Sequence, residues 1–133
     1  MSDRPKQILY VDDDADDREI LSTMIRDVNP NIEVVLVEDG TQAMDYLNSH
    51  KTADSQLPDL IVLDNNMPFL NGVDTLKCIL KDETLNKVPV IVFSSSEKPS
   101  DKTYFNKMGV EYLVKPTSMS YMRSIASRMV LAL

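Results

Sequence analysis

A chain of 133 residues fits one domain, and 43% hydrophobic with 26% charged residues supports a buried core rather than a disordered segment. Fourteen Lys and Arg against 21 Asp and Glu leave a net charge of −7 with no basic cluster, which argues against direct DNA binding. Cys78 is the only cysteine, no run approaches the ~18 apolar residues of a membrane span, and the N-terminus lacks a signal-peptide core, so a cytoplasmic protein without membrane insertion is expected.

In chain order, short apolar runs alternate with segments of helical period. A strand is predicted over 7–11 and ends in Asp12-Asp13-Asp14. Ile20, Leu21, Met24, Ile25 and Val28 then repeat at helical spacing until Pro30. A second strand at 32–37 leads through Glu38-Asp39, charges suited to a helix N-terminus, into a helix opened by Gly40-Thr41 and carrying Ala43, Met44 and Leu47. The stretch 49–57 reads as a polar loop, with His50 a solvated member of it. The third strand, 59–63, follows Pro58 and ends at Asp64. The next helix places Val73, Leu76, Ile79 and Leu80 on one stripe, with Cys78 expected to be partly buried. A strand at 88–93, with Pro89 near its start, ends in Ser94-Ser95-Ser96. The helix at 99–108 rests on Tyr104, Phe105 and Met108 alone, and Gly109 is placed to stop it. A last strand, 111–114, delivers Lys115-Pro116. Ser118 can then cap a final helix whose stripe is Met119, Met122, Ile125, Ala126, Met129, Val130 and Leu133.

This alternation predicts an α/β fold with a parallel sheet, one domain spanning 1–133. In such sheets ligands bind outside the carboxyl ends of the strands, where Asp12, Asp13, Asp64, Ser94 and Lys115 all fall. Two carboxylates about 4 Å apart repel by roughly 4 kcal/mol at an effective dielectric near 20. A hard cation such as Mg²⁺ removes that cost and takes carboxylate, phosphate and water oxygens. A hydroxyl and an ammonium would face phosphoryl oxygens, and one carboxylate can act as nucleophile. Taken singly, Asp12 or Asp13 could be a helix cap and Lys115 a surface lysine. Asp14, Asp16 and Asp17 read as first-turn charges without a role in the site.

The runs Ile8-Leu9-Tyr10-Val11-Asp12-Asp13, Leu63-Asp64-Asn65-Asn66-Met67-Pro68-Phe69-Leu70-Asn71-Gly72, Val90-Ile91-Val92-Phe93-Ser94-Ser95 and Tyr112-Leu113-Val114-Lys115-Pro116 occur in that order. Together they resemble the receiver domain of two-component response regulators over nearly the whole chain. The closer resemblance is to stand-alone receivers paired with phytochrome-like histidine kinases. The resemblance implies the flavodoxin-like (βα)5 receiver fold, a five-stranded parallel sheet with helices on both faces.

It also implies roles. Asp64 would accept the phosphoryl group, and Asp13 would bind Mg²⁺ directly with Asp12 close by through water. The Asn66 main-chain carbonyl would complete the protein ligands, alongside Asp64. Ser94 would hydrogen-bond the phosphoryl group, and Lys115 would pair with its charge, aimed by a Pro116 joint of the cis type. Tyr112 matches a switch aromatic that turns inward on activation, while Asn66 and Ser96 match positions that tune phosphoryl lifetime. The implied partners are a sensor histidine kinase or phosphotransfer protein and a downstream protein target, with homodimerisation left open. Output is expected at the face of helix four, strand five and helix five, where Tyr104, Met119 and Tyr121 lack a core role. One alternative is a phosphatase of the haloacid-dehalogenase type. It needs an aspartate two residues after the nucleophile, where this chain has Asn66. The other is a receiver scaffold that never carries phosphate, which loss of Asp13, Asp64 or Lys115 would mark; all three are present.

Overall fold

The computed structural model describes residues 4–52, 56–65 and 71–133. Its elements run β1 (Gln7–Val11), α1 (Ala15–Val28), β2 (Glu33–Val37), α2 (Gly40–Ser49), β3 (Leu60–Leu63) and α3 (Gly72–Lys81), then β4 (Val90–Ser94), α4 (Pro99–Lys107), β5 (Glu111–Val114) and α5 (Met119–Leu131). The five strands form one parallel sheet in the order β2-β1-β3-β4-β5. The order reverses between β1 and β3, and such a switch point opens a crevice at the strands' carboxyl ends.

The sheet is covered on both sides, which is why its inner strands read as unbroken apolar runs. Alternate residues feed two cores. Ile8, Tyr10, Leu60, Val62, Ile91 and Phe93 pack with Leu21 and Ile25 of α1 and Met122, Ala126 and Met129 of α5. Leu9, Val11, Ile61, Leu63 and Val92 pack on the other face with Ala43, Leu47, Leu76, Ile79 and Phe105. Burying each such side chain fully contributes about 1.5–3 kcal/mol, so the β1–β3 pair is the firmest platform available for a site at its end.

Four helices begin on side-chain caps. Asp14 accepts from Asp17 N–H, Asp39 from Gln42 N–H, Asn71 from Asp74 N–H and Ser118 from Tyr121 N–H. Each satisfies a donor that the helix start leaves open. Gly109 ends α4 with φ +81°, a left-handed conformation that favours glycine. The fourth strand starts at Val90, two residues later than expected. Val88 N–H closes a 3₁₀ turn onto Leu85 O, and Pro89 has no N–H to give the ladder.

Several expectations need correction. Cys78 is exposed, because the buried stripe of α3 is Gly72, Thr75, Leu76 and Ile79 and position 78 falls on the outer face. Met119 is exposed ahead of the α5 stripe. His50 is half-buried at the C-terminus of α2, its ring stacked 4.1 Å from that of Tyr46, rather than a solvated loop residue. The Lys115–Pro116 bond is trans, as are all described peptide bonds, so the lysine is aimed without a cis joint. Asn66, named as a metal ligand and lifetime position, lies outside the described residues, as do Met67 and Pro68.

Candidate functional site

The register of β1 against β3 pairs Val11 with Leu63, so the next residues, Asp12 and Asp64, leave the sheet side by side. Asp64 N–H donates to Val11 O at 2.9 Å and Asp12 N–H to Val37 O at 3.1 Å, which fixes both backbones. Asp12 and Asp64 are buried and Asp13 is exposed. Each of the three offers a carboxylate oxygen, and these oxygens lie within 4.8 Å of one another. That donor set is all-oxygen and anionic, as a hard divalent cation requires.

Asp12 is held on every side. Its Oδ1 accepts from Asp14 N–H at 2.9 Å. Its Oδ2 accepts from the Tyr10 hydroxyl at 2.6 Å and from Lys115 Nζ at 2.7 Å. The Arg18 guanidinium donates to its main-chain oxygen at 2.7 Å. Both Asp12 oxygens are therefore engaged within the protein. Tyr10 is a site residue that the sequence reading missed. Burial, then the neighbouring Asp12 carboxylate, push its phenol well above the usual range, so it stays a donor.

Lys115 comes from the end of β5, and its N–H donates to Ser94 O at 2.8 Å. Its ammonium lies 2.7 Å from Asp12, 2.9 Å from Asp17 and 3.5 Å from Asp64. Burial alone would lower its pKa. Hydrogen bonds to Asp12 and Asp17, with the charges of Asp64 and Asp12, outweigh burial and hold it above the ordinary lysine value. Three carboxylates thus share one ammonium, and with Asp13 beside Asp12 and Asp64 a divalent cation would relieve the remaining repulsion. Asp17 corrects a further expectation, since its carboxylate belongs to the site as well as to the first turn of α1.

Ser94 is the last residue of β4 and fully buried, and its Oγ accepts from Ser96 N–H at 3.3 Å. Ser96 Oγ donates to Asp101 at 2.6 Å, and Ser96 O accepts from the Tyr112 hydroxyl at 2.8 Å. Tyr112 is buried and stacks on Phe105 with ring centroids 5.6 Å apart. The hydroxyl at position 94, the loop after it and the aromatic at 112 are thus one hydrogen-bonded unit. The start of α3 packs directly against the end of β3, where Gly72 N–H donates to Asn65 O at 3.3 Å. A Cβ on Gly72 would lie 2.6 Å from both Asp64 O and Asn65 Cα, so only glycine lets the helix approach the acidic strand end this closely.

A cleft lined by Arg4, Pro5, Lys6, Gln56 and Asp59 lies at the amino ends of β1 and β3, away from these groups. No described helix is long and apolar enough to cross a membrane.

Comparison with known proteins agrees with this geometry. A family model of the response regulator receiver domain matches residues 8–127. The chain belongs to the response regulator receiver domain family. Two-component response regulator ARR7 of Arabidopsis thaliana is 34% identical over 125 residues, covering 89% of this chain and 59% of that protein. The chain spans about half the length, 46% and 59%, of two curated relatives it matches. Among solved structures, the phosphorylated cyanobacterial phytochrome response regulator RcpA superimposes with TM-score 0.84 at 32% identity, covering 94% of this chain and 91% of that one. The Mn²⁺-bound form of Rcp1, from Synechocystis, gives TM-score 0.82 at 27% identity over the same shares. Receiver domains are in general phospho-acceptor switches rather than enzymes. They bind a divalent cation and interact with histidine kinases or phosphotransfer proteins and with downstream targets.

Proposed function

We propose that residues 1–133 form a single receiver domain working as a stand-alone response regulator, phosphorylated on Asp64. The carrying observation is the position of Asp64: at the carboxyl end of a central strand, with Lys115 Nζ 3.5 Å away and the oxygens of Asp12 and Asp13 beside it. Matches across 82% of Rcp1 and 91% of the RcpA chain support the stand-alone reading. An Asp64 carboxylate oxygen attacks the phosphorus of a phosphohistidine on a sensor kinase or phosphotransfer protein. The O–P bond forms, the P–N bond breaks, and the departing imidazole takes up a proton. Asp13 and Asp64, with Asp12 behind them, would hold Mg²⁺, which supplies positive charge against the approach of an anionic phosphoryl group. The Ser94 hydroxyl and the Lys115 ammonium bond the phosphoryl oxygens.

Turning Ser94 toward the phosphoryl group changes what holds Ser96 N–H, and Tyr112 grips the same residue's carbonyl. The switch therefore reaches the surface of α4, β5 and α5, where Tyr104, Met119 and Tyr121 are exposed. A downstream protein, or a second copy of the chain, would read that surface in the cytoplasm. The acidic charge of −7 disfavours DNA as the target. Multiple-turnover ester hydrolysis is not expected, since position 66 offers an amide rather than an acid. Amide chemical shifts recorded with and without Mg²⁺ and beryllofluoride, a phosphoryl mimic, test the switch. Shifts should extend from Asp64 through Ser94 and Ser96 to Tyr112, and shrink in Lys115→Ala. A full response in that variant would remove Lys115 from the mechanism.

A further inference from the structure

The Lys115 ammonium is shared unequally. An ammonium has three N–H donors. At 2.7 and 2.9 Å, Asp12 and Asp17 take hydrogen bonds, whereas Asp64 at 3.5 Å has only an ion-pair hold. The two bonded carboxylates differ in what they lose if the lysine leaves. Asp12 is completely buried, and its negative charge would be left without its cation in a dry environment. The Asp17 side chain is 33% exposed and sits in the first turn of α1, where the helix dipole favours negative charge and water can replace the lysine. Asp17 is thus the partner most easily given up.

We propose that Asp17 is a positioning residue that latches Lys115 in the resting arrangement and lets go when Asp64 carries a phosphoryl group. The inference rests on Asp64 being the acceptor. A phosphoryl group on Asp64 adds anionic oxygens beside the ammonium, and Lys115 exchanges Asp17 for them while keeping Asp12. Asp17 then contributes a contact present in one state and absent from the other, the differential interaction through which a residue sets the balance between two states. Its carboxylate and the phosphoryl group compete for one ammonium, so the latch raises the threshold for activation.

Asp16 separates this role from a general effect of acidity. It carries the same charge on the same helical turn, is exposed, and is not among the three carboxylates around Lys115. The test is calorimetric affinity for beryllofluoride at saturating Mg²⁺, for wild type, Asp17→Asn, Asp16→Asn, Lys115→Gln and the Asp17→Asn/Lys115→Gln pair. Asp17→Asn should bind about fivefold tighter, the order set by one partly exposed ion pair. Asp16→Asn should match wild type, and the Asp17 effect should vanish in the Lys115→Gln background. In metal-free protein, the ¹⁵N resonance of the Lys115 ammonium should move in Asp17→Asn and stay in place in Asp16→Asn; this holds even if Lys115→Gln folds poorly. Equal tightening by Asp16→Asn, an Asp17 effect that survives Lys115→Gln, or unchanged or weaker binding by Asp17→Asn would overturn the latch alone. A wild type that fails to bind beryllofluoride would remove the acceptor reading, and the latch with it.

Discussion

Asp12 shows how much of this site depends on a carboxylate bonded through both oxygens to the protein itself. A fully buried carboxylate is tolerable only with its oxygens bonded, and Tyr10, Lys115 and the Asp14 N–H supply the partners. Removing the phenol oxygen with Tyr10→Phe deletes a hydrogen bond to a charged group, worth about 1.5–3 kcal/mol. The midpoint of urea unfolding should fall accordingly with an unchanged slope; an unchanged midpoint would mean that Lys115 and Asp14 suffice. Tyr10 escaped the sequence reading because it lies inside the apolar run Ile8–Val11 and looks like core. The signal was there in the spacing: residues two apart on a strand share a face, so the tip of Tyr10 can reach the side chain of Asp12. Asp17 was harder to see. Its local role near the start of α1 is real, but its partner Lys115 lies 98 residues away, and spacing carries no information about that pairing.

At the scale of elements, strands were the most legible part of the chain. A sheet covered on both faces demands apolar residues without alternation, and buried acids or hydroxyls at 12, 64 and 94 mark where the apolar runs end. Helix starts were legible where a capping side chain announced them, as Ser118 does. The misplaced residues sit on helix edges: Cys78 and Met119 are apolar enough to join a stripe, but the stripe's true phase is set by what faces the sheet. The sequence showed Gly72 without showing its purpose, because the contact is with the backbone of Asp64 and Asn65. Gly72→Ala should push α3 off the acidic strand end, with an overpacking cost of about 1–3 kcal/mol and weakened Mg²⁺ binding. Thermal melting and metal titration would check both. An alanine variant with wild-type stability and affinity would show that the helix relaxes without moving Asp64.

At the scale of the whole molecule, the sheet order gathers groups from positions 12, 13, 64, 94 and 115 at the strands' carboxyl ends, and the resulting excess of carboxylates should tie stability to cation binding. A ligand at 100 times its Kd stabilises the folded state by about 2.7 kcal/mol, which for a domain of this size raises Tm by several degrees. Saturating Mg²⁺ should produce that rise in wild type. Asp13→Ala should abolish most of it. Asp14→Ala should lower Tm through loss of the α1 cap but keep the increment; equal increments in both variants would remove Asp13 from the metal site. The central claim, that this site exists to place a phosphoryl group on Asp64, is tested most directly by intact-mass measurement after incubation with acetyl phosphate and Mg²⁺. Wild type should gain the mass of one phosphoryl group and Asp64→Asn should gain none, whereas equal labelling of the two proteins would contradict the account.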